Sequence, residues 1–214
     1  MTLDEYKAKA AETEDWAPGW EAIDTCLEPL YSGQKPRHYG TNLHARAIFG
    51  GDQYLDGCSV YEPAYGLHIV TYGMSELYAN EESFGGEWSK WGYEMTIKLP
   101  ACEEADYMWA IDMLANLARY TFTSKRFFEP YQYISGGGNP IKVGSDSKLT
   151  GLLIVPDTEL AGADTIHGHL NFMQVVGITQ AELESVMGDS AQARPLAERL
   201  QRDAPMLLTD LKRQ

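Results

Sequence analysis

The sequence predicts an α+β fold, a single domain in which a mixed β-sheet packs against helices. Three observations carry that expectation. Strand-like segments crowd residues 41–99, helix-period segments stand on either side of them, and two further strands recur after residue 148. No linker, internal repeat or low-complexity tract divides the chain, so the elements belong to one core.

Pro18 suits a first helical turn, and Trp20, Ile23, Leu27, Leu30 and Tyr31 recur with helical spacing, which predicts a helix over 17–31 that Ser32-Gly33 ends. A Pro/Gly-rich connector runs from Gln34 to Gly40. Strands are expected at Leu43–Phe49, Cys58–Tyr61, Leu67–Tyr72 and Tyr93–Leu99, punctuated by Gly50-Gly51, Pro63 and Pro100. The last of these alternates apolar with polar residues and reads as a strand with one wet face. A helix over Ala105–Phe122 presents Met108, Ile111, Leu114, Leu117 and Ala118 on one side. Strands at Leu149–Val155 and Leu170–Val176 come next. Thr179-Gln180-Ala181-Glu182 has the capping-box pattern and opens a short helix to about Met187. A final helix over Ala191–Arg202 precedes an extended piece, Met206–Thr209.

Composition bounds the function. A chain of 214 residues with 44% hydrophobic and 22% charged residues is globular, and at this size about 70% of the unfolded surface is buried. No apolar run reaches the roughly 20 residues of a membrane span, and the first residues lack a signal-peptide core. Three widely spaced cysteines, Cys26, Cys58 and Cys102, read as free thiols of a reducing cytoplasm. The net charge of −14 argues against nucleic acid and anionic membranes and favours a cationic protein partner. Residues 1–31 and 76–106 each hold eight acids and two lysines, a net −6 apiece.

Catalytic patterns are sparse. His167-Gly168-His169 sets two imidazoles at i and i+2, which on an extended strand face one side and could share a metal, with Asp164 nearby. A zinc site needs further ligands, and no HExxH or paired-cysteine pattern supplies them. No metal or cofactor is expected. His38, His44 and His68 are scattered. Gly136-Gly137-Gly138-Asn139-Pro140 lacks the Lys-Ser/Thr of a phosphate loop and reads as a turn. No GxSxG elbow is present, and the adjacent acids read as solvated faces, so a catalytic residue is not expected.

Aromatic residues are the stronger signal. Five tryptophans and thirteen tyrosines are many for this length, and several stand beside acids. Tyr78, Glu81, Glu82, Glu87 and Trp88 form a Gly-rich acidic segment of the kind that rims protein interfaces. These five are the candidate partner-binding residues.

Several blocks together resemble the suppressor-of-fused family. They are Pro36-Arg37-His38-Tyr39-Gly40, Leu55–Tyr61, His68–Tyr78, Trp91–Thr96, Trp109…Leu114…Asn116–Tyr120…Phe122, Phe172–Gly177, Glu182-Leu183 and Leu207–Leu211. They keep the family's order from about 35 to 211. The resemblance implies residues 35–214 as a suppressor-of-fused-like domain, with 1–34 a helical segment of that same domain, and no catalytic machinery. The family's best-known animal member restrains the Gli transcription factors, and its ligand peptide lies as an added strand between two domains. The likeness here covers the first of those domains. Single-domain members are typical of bacteria, where the family is thought to include immunity proteins that neutralise toxins. On this alignment Tyr78 falls on a tyrosine that holds the peptide, and the acid that partners it falls near Gly86 or Glu87. The expected function is a cytoplasmic, non-enzymatic binder of a cationic protein partner, of immunity type or regulatory. The alternatives are a small metal-dependent hydrolase using His167 and His169, and a homodimeric scaffold.

Overall fold

The computed structural model describes residues 1–41 and 55–214. The sheet runs β1 (Arg37–Gly40), β2 (Gly57–Tyr61), β3 (Leu67–Tyr72), β4 (Trp88–Leu99), β5 (Tyr133–Ser135), β6 (Leu149–Pro156), β7 (Ala163–Thr165) and β8 (Gly168–Thr179). In space the order is β1-β2-β3-β4-β8-β6-β5, with β7 pairing β8 off this path. β4 and β8 are parallel and every other pairing is antiparallel. The sheet is therefore mixed, as the sequence predicts.

Helices cover both faces. α3 (Glu104–Ser124) lays Tyr107, Ala110, Ile111, Leu114 and Ala118 against Ile69, Met95, Ile97, Ile154 and Val175. On the other face α2 (Pro18–Tyr31) packs Ile23, Leu27 and Tyr31 on Tyr61, Val70, Tyr72 and Phe172. Beside it α4 (Gln180–Gly188) and α5 (Ala193–Asp203) bury Leu183, Val186, Leu196 and Leu200 against Leu153, Val155, Val176 and Ile178. Odd and even positions of a strand thus feed opposite cores. The capping box at Thr179 forms, with Thr179 and Glu182 exchanging side-chain and backbone bonds.

Four expectations need correction or placement. The wet face of Tyr93–Leu99 is buried: Glu94, Thr96 and Lys98 are all 0% exposed. α2, α4 and α5 flank that side, and the segment 206–209 closes it, with Thr209 N–H donating to the Lys98 carbonyl. β4 begins at Trp88 rather than Tyr93, so Trp88 and Trp91 are strand residues. The connector Gln34–Gly40 contains a strand, β1, whose register pairs Arg37 with Val60. An additional helix, α1 (Leu3–Glu12), opens the chain behind a Thr2–Glu5 capping box. The strand expected at Leu43–Phe49, His44 and the Gly50-Gly51 punctuation lie outside the described residues. Gly136–Asn139 is a turn, closed by the Asn139 N–H to the Gly136 carbonyl.

Candidate functional site

The acidic aromatic segment leaves the sheet where β3 ends, and one buried carboxylate fixes that exit. Glu94 on β4 accepts from Gly73 N–H at 2.9 Å, Ser75 N–H at 2.9 Å and the Ser75 hydroxyl at 2.6 Å, all on Oε1. Its Oε2 takes the Thr71 hydroxyl at 2.6 Å and Met74 N–H at 3.3 Å. Burial pushes the Glu94 carboxyl up from its ordinary value, against these donors, which pull it down. Lys90 adds a bond from Nζ to the Gly73 carbonyl.

The N-terminal segment clamps the loop beyond that exit. The first amides of α2, Gly19 and Trp20, both point at the Leu77 carbonyl, at 2.9 and 3.4 Å. Any side chain at Gly19 would collide there, because a Cβ would lie 1.8 Å from the Glu76 carbonyl oxygen. Ala79 N–H donates to the Trp16 carbonyl. Tyr6 of α1 is 0% exposed and packs its ring on Trp16 and Phe84. Its hydroxyl accepts from Asn80 N–H at 2.6 Å and shares a 2.8 Å bond with His167 Nε2. Lys7 reaches Glu81 at 2.8 Å. Residues 6–20 therefore lie against 76–84, which joins parts of the two most acidic stretches of the chain.

The candidate residues line this loop and the strand it enters. Tyr78 is half-exposed, and its hydroxyl donates to Asp56 Oδ2 at 2.6 Å. Glu81 and Glu82 form an exposed 3-10 turn that the Asn80 side chain caps. Glu87 is exposed, and its carbonyl accepts the His169 N–H. Trp88 is also half-exposed, edge-on to His169 with ring centroids 5.5 Å apart. Its ring is cradled by Gly92, where φ is +80° and a Cβ would meet Trp88 Cε3 at 2.9 Å. β4 bulges between Trp88 and Tyr93 relative to β8, which sets this end of the strand apart from its regular ladder. Two presented aromatics among exposed carboxylates can take a cationic, partly apolar surface.

The two histidines do not converge. His167 sits in the tight turn between β7 and β8, not on an extended strand, so the i, i+2 argument does not apply. It is 0% exposed, with Nε2 bonded to Tyr6 and Nδ1 3.1 Å from the Glu76 carbonyl. Burial pushes its pKa down from 6.5. His169 turns outward to Asp164 at 2.7 Å and to Asn171. Among the described residues no group of three or more His, Cys, Asp or Glu could hold a metal. His167 and Tyr6 are thus structural parts of the loop clamp, and sequence reasoning missed Tyr6. The Thr2-Leu3-Asp4-Glu5 capping pattern was the available signal for its helix. Cys26, Cys58 and Cys102 are free, and burial raises all three thiols above 9.0.

Comparison with known proteins places this geometry. A chain of the Sufu–Fu complex crystal structure superposes with a TM-score of 0.77 at 25% identity, over 92% of this chain and 91% of that one. The crystal structure of Drosophila Suppressor of Fused gives 0.78 at 26% identity, over 92% of this chain and 51% of that one. A putative homologue from Neisseria gonorrhoeae shares the fold, with a TM-score of 0.64 at 17% identity over 91% and 94% of the two chains. The Homo sapiens Suppressor of fused homolog is 28% identical over 213 residues, which cover 91% of this chain and 43% of that protein. The chain thus spans less than half the length of its curated relative. The model of the family Suppressor of fused protein (SUFU) matches residues 51–214, and the chain belongs to that family.

Proposed function

We propose that this chain is a non-enzymatic capture domain that binds a cationic protein partner on the loop from Tyr78 to Trp88. The observation that carries this reading is the pairing of rigid support with exposed aromatics. Glu94, Tyr6 and the α2 N-terminus hold the loop backbone, while Tyr78 and Trp88 remain half-exposed beside Glu81, Glu82 and Glu87. A preorganised loop loses little entropy on binding. The Sufu–Fu complex shows a family member with a protein partner, which supports the class of function. The partner we favour is a toxin or regulatory protein met in the cytoplasm, with this chain as its immunity-type neutraliser. The fixed ring nitrogens of His167 and the outward turn of His169 favour binding over metal-dependent hydrolysis.

The test takes the protein encoded beside this chain's gene as the probe. Stopped-flow association should show an on-rate that falls as salt rises while the off-rate holds steady, because steering acts over about 8 Å at physiological ionic strength. Replacing Glu81, Glu82 and Glu87 by glutamine should flatten that dependence. Tyr78→Ala should speed dissociation at least about tenfold. Wild-type kinetics in both variants, with normal folding, would remove this loop from the binding surface.

A further inference from the structure

We propose a second docking surface, at the β5 edge of the sheet, that takes an extended, acidic and apolar segment of a partner protein as an added strand on β5. Three observations meet there. First, β5 is an end strand whose outer edge pairs with no other strand among the described residues. Its ladder to β6 pairs Tyr133 with Leu153, Ile134 with Leu152 and Ser135 with Gly151. The Gln132 carbonyl accepts from Ile154 N–H, and Gly136 N–H donates to the Thr150 carbonyl. By the period of two, Ile134 also bonds inward, and the N–H and C=O of Tyr133 and Ser135 face outward. Among the described residues, no backbone hydrogen bond outside the ladder reaches either residue.

Second, a groove of about 750 Å³ runs between this edge and α3, walled by Leu117, Tyr120, Phe127, Phe128 and Ile134. It continues past Ile134 and Ser135 into a hollow of about 550 Å³ beside Met113 and Ile141. Tyr120 is 43% exposed and Phe127 is 50% exposed, so large apolar side chains stand open to solvent along its rim. A guest strand bonded to Tyr133 and Ser135 would drop alternate side chains into this groove, which is how strand addition gains both affinity and selectivity.

Third, the charge is inverted here. Residues 116–135 hold Arg119, Lys125 and Arg126 against Glu129 alone, in a chain of net charge −14. Arg126 lines the groove itself, and the Arg194 guanidinium lies 4.7 Å from the Tyr131 ring just before β5. A carboxylate on the guest would meet the Arg126 fork, the geometry arginine favours. The surface is separate from the acidic loop in position and opposite in sign, so it stands or falls independently of the Tyr78–Trp88 reading.

The test uses the full chain and a fluorescein-labelled hexapeptide of alternating valine and phenylalanine with two glutamates. Its counterparts carry lysines for the glutamates, or N-methyl groups on the edge-facing amides. Fluorescence polarisation should give saturable binding of the acidic probe and at least about tenfold weaker binding of each counterpart. Ser135→Pro removes an outward N–H without touching the β6 ladder and should abolish binding. Arg126→Glu should reverse the preference between acidic and lysine probes. Equal binding of all three peptides by wild type would overturn the proposal even if both variants misfold. So would a concentration-dependent dimer in sedimentation that Ser135→Pro dissolves, because the edge would then belong to a second copy of the chain.

Discussion

Two carboxylates are buried on the same face of the sheet, and they are held in opposite ways. Glu94 meets hydroxyls and amides of the β3 exit, and burial wins: its carboxyl rises above 4.5. Asp157, at the end of β6, is also opposed by burial. However, a hydrogen bond and charge from His68, the Lys98 ammonium and the Thr96 hydroxyl prevail and hold it well below 3.8. Lys98 sits 3.1 Å from Asp157 and 2.9 Å from Glu159, and Asp157 Oδ1 also accepts from the Glu159 and Leu160 amides. The difference is an ammonium in direct contact with the carboxylate against hydroxyls and amides, with the Lys90 charge acting on Glu94 from its bond to the Gly73 carbonyl. One site ties three strands together. The other positions a loop.

That contrast sets the expected order of effects. Asp157→Asn leaves Lys98 buried beside a neutral group with only partly buried Glu159 to answer it. Removing one member of a buried pair costs about 3–5 kcal/mol. Urea unfolding should therefore show a large fall in midpoint, while partner capture by whatever remains folded is unchanged. A loss below about 1 kcal/mol would mean that Glu159 alone neutralises Lys98, and the two carboxylates would be less different than their surroundings suggest.

The two sites also differ in how far the sequence revealed them. Alternation along Tyr93–Leu99 identified the strand and the side on which Glu94, Thr96 and Lys98 lie. It could not say that this side is covered, because the cover comes from α2, α4 and α5 and from 206–209, all distant in sequence. Periodicity reports which residues share a face, and tertiary packing decides whether that face is wet. Helix and strand positions were legible for the same reason that β1 and α1 were not. Arg37–Gly40 has only four residues behind a proline, and α1 buries just Tyr6, so neither gives a periodic apolar signal. The aromatic and acidic composition of 78–88 pointed to a surface, and its exposure is as expected. Its anchoring by Tyr6 and His167 was invisible, since it joins residues 161 positions apart.

On the loop side of the comparison, Tyr6→Phe isolates the outer latch. The ring still fills its place against Trp16 and Phe84, but Asn80 N–H and His167 Nε2 lose their shared hydroxyl. A buried polar atom left without a partner costs about 1–3 kcal/mol. Calorimetric or urea unfolding should find a loss in that range, together with faster exchange of the Asn80 amide. A global loss with no local change at Asn80 would place Tyr6 with the fold and not with the loop.

The smallest stability effect is expected at Glu94 itself, and its sign depends on pH. A group whose folded pKa is raised binds its proton more tightly when folded. Its contribution is full below the ordinary value of 4.5 and is lost as pH rises through the folded value. Asp157 behaves the other way: its contribution is full above the ordinary carboxylate value of 3.8 and is lost as pH falls. Wild-type stability should therefore climb out of acid on account of Asp157, with Glu159 and Glu182 adding to it, and sag as pH rises past 4.5 on account of Glu94 and Asp24. Glu94→Gln keeps one oxygen for Gly73 N–H, Ser75 N–H and the Ser75 hydroxyl; its NH2 in place of Oε2 gives up the long bond from Met74 and obliges the Thr71 hydroxyl to accept where it had donated. It also removes a buried charge, so the net cost near neutral pH should be about 1 kcal/mol or less. The sag should shrink in the variant to the share that Asp24, also raised by burial, contributes, while the acid limb stays; Asp157→Asn should instead reduce the acid limb to the share that Glu159 and Glu182 contribute. Urea midpoints measured from about pH 3 to pH 9 would separate the two. An unchanged sag in Glu94→Gln would show that Glu94 is ionised throughout, and the opposition between the two carboxylates would reduce to a difference in partners without a difference in proton affinity.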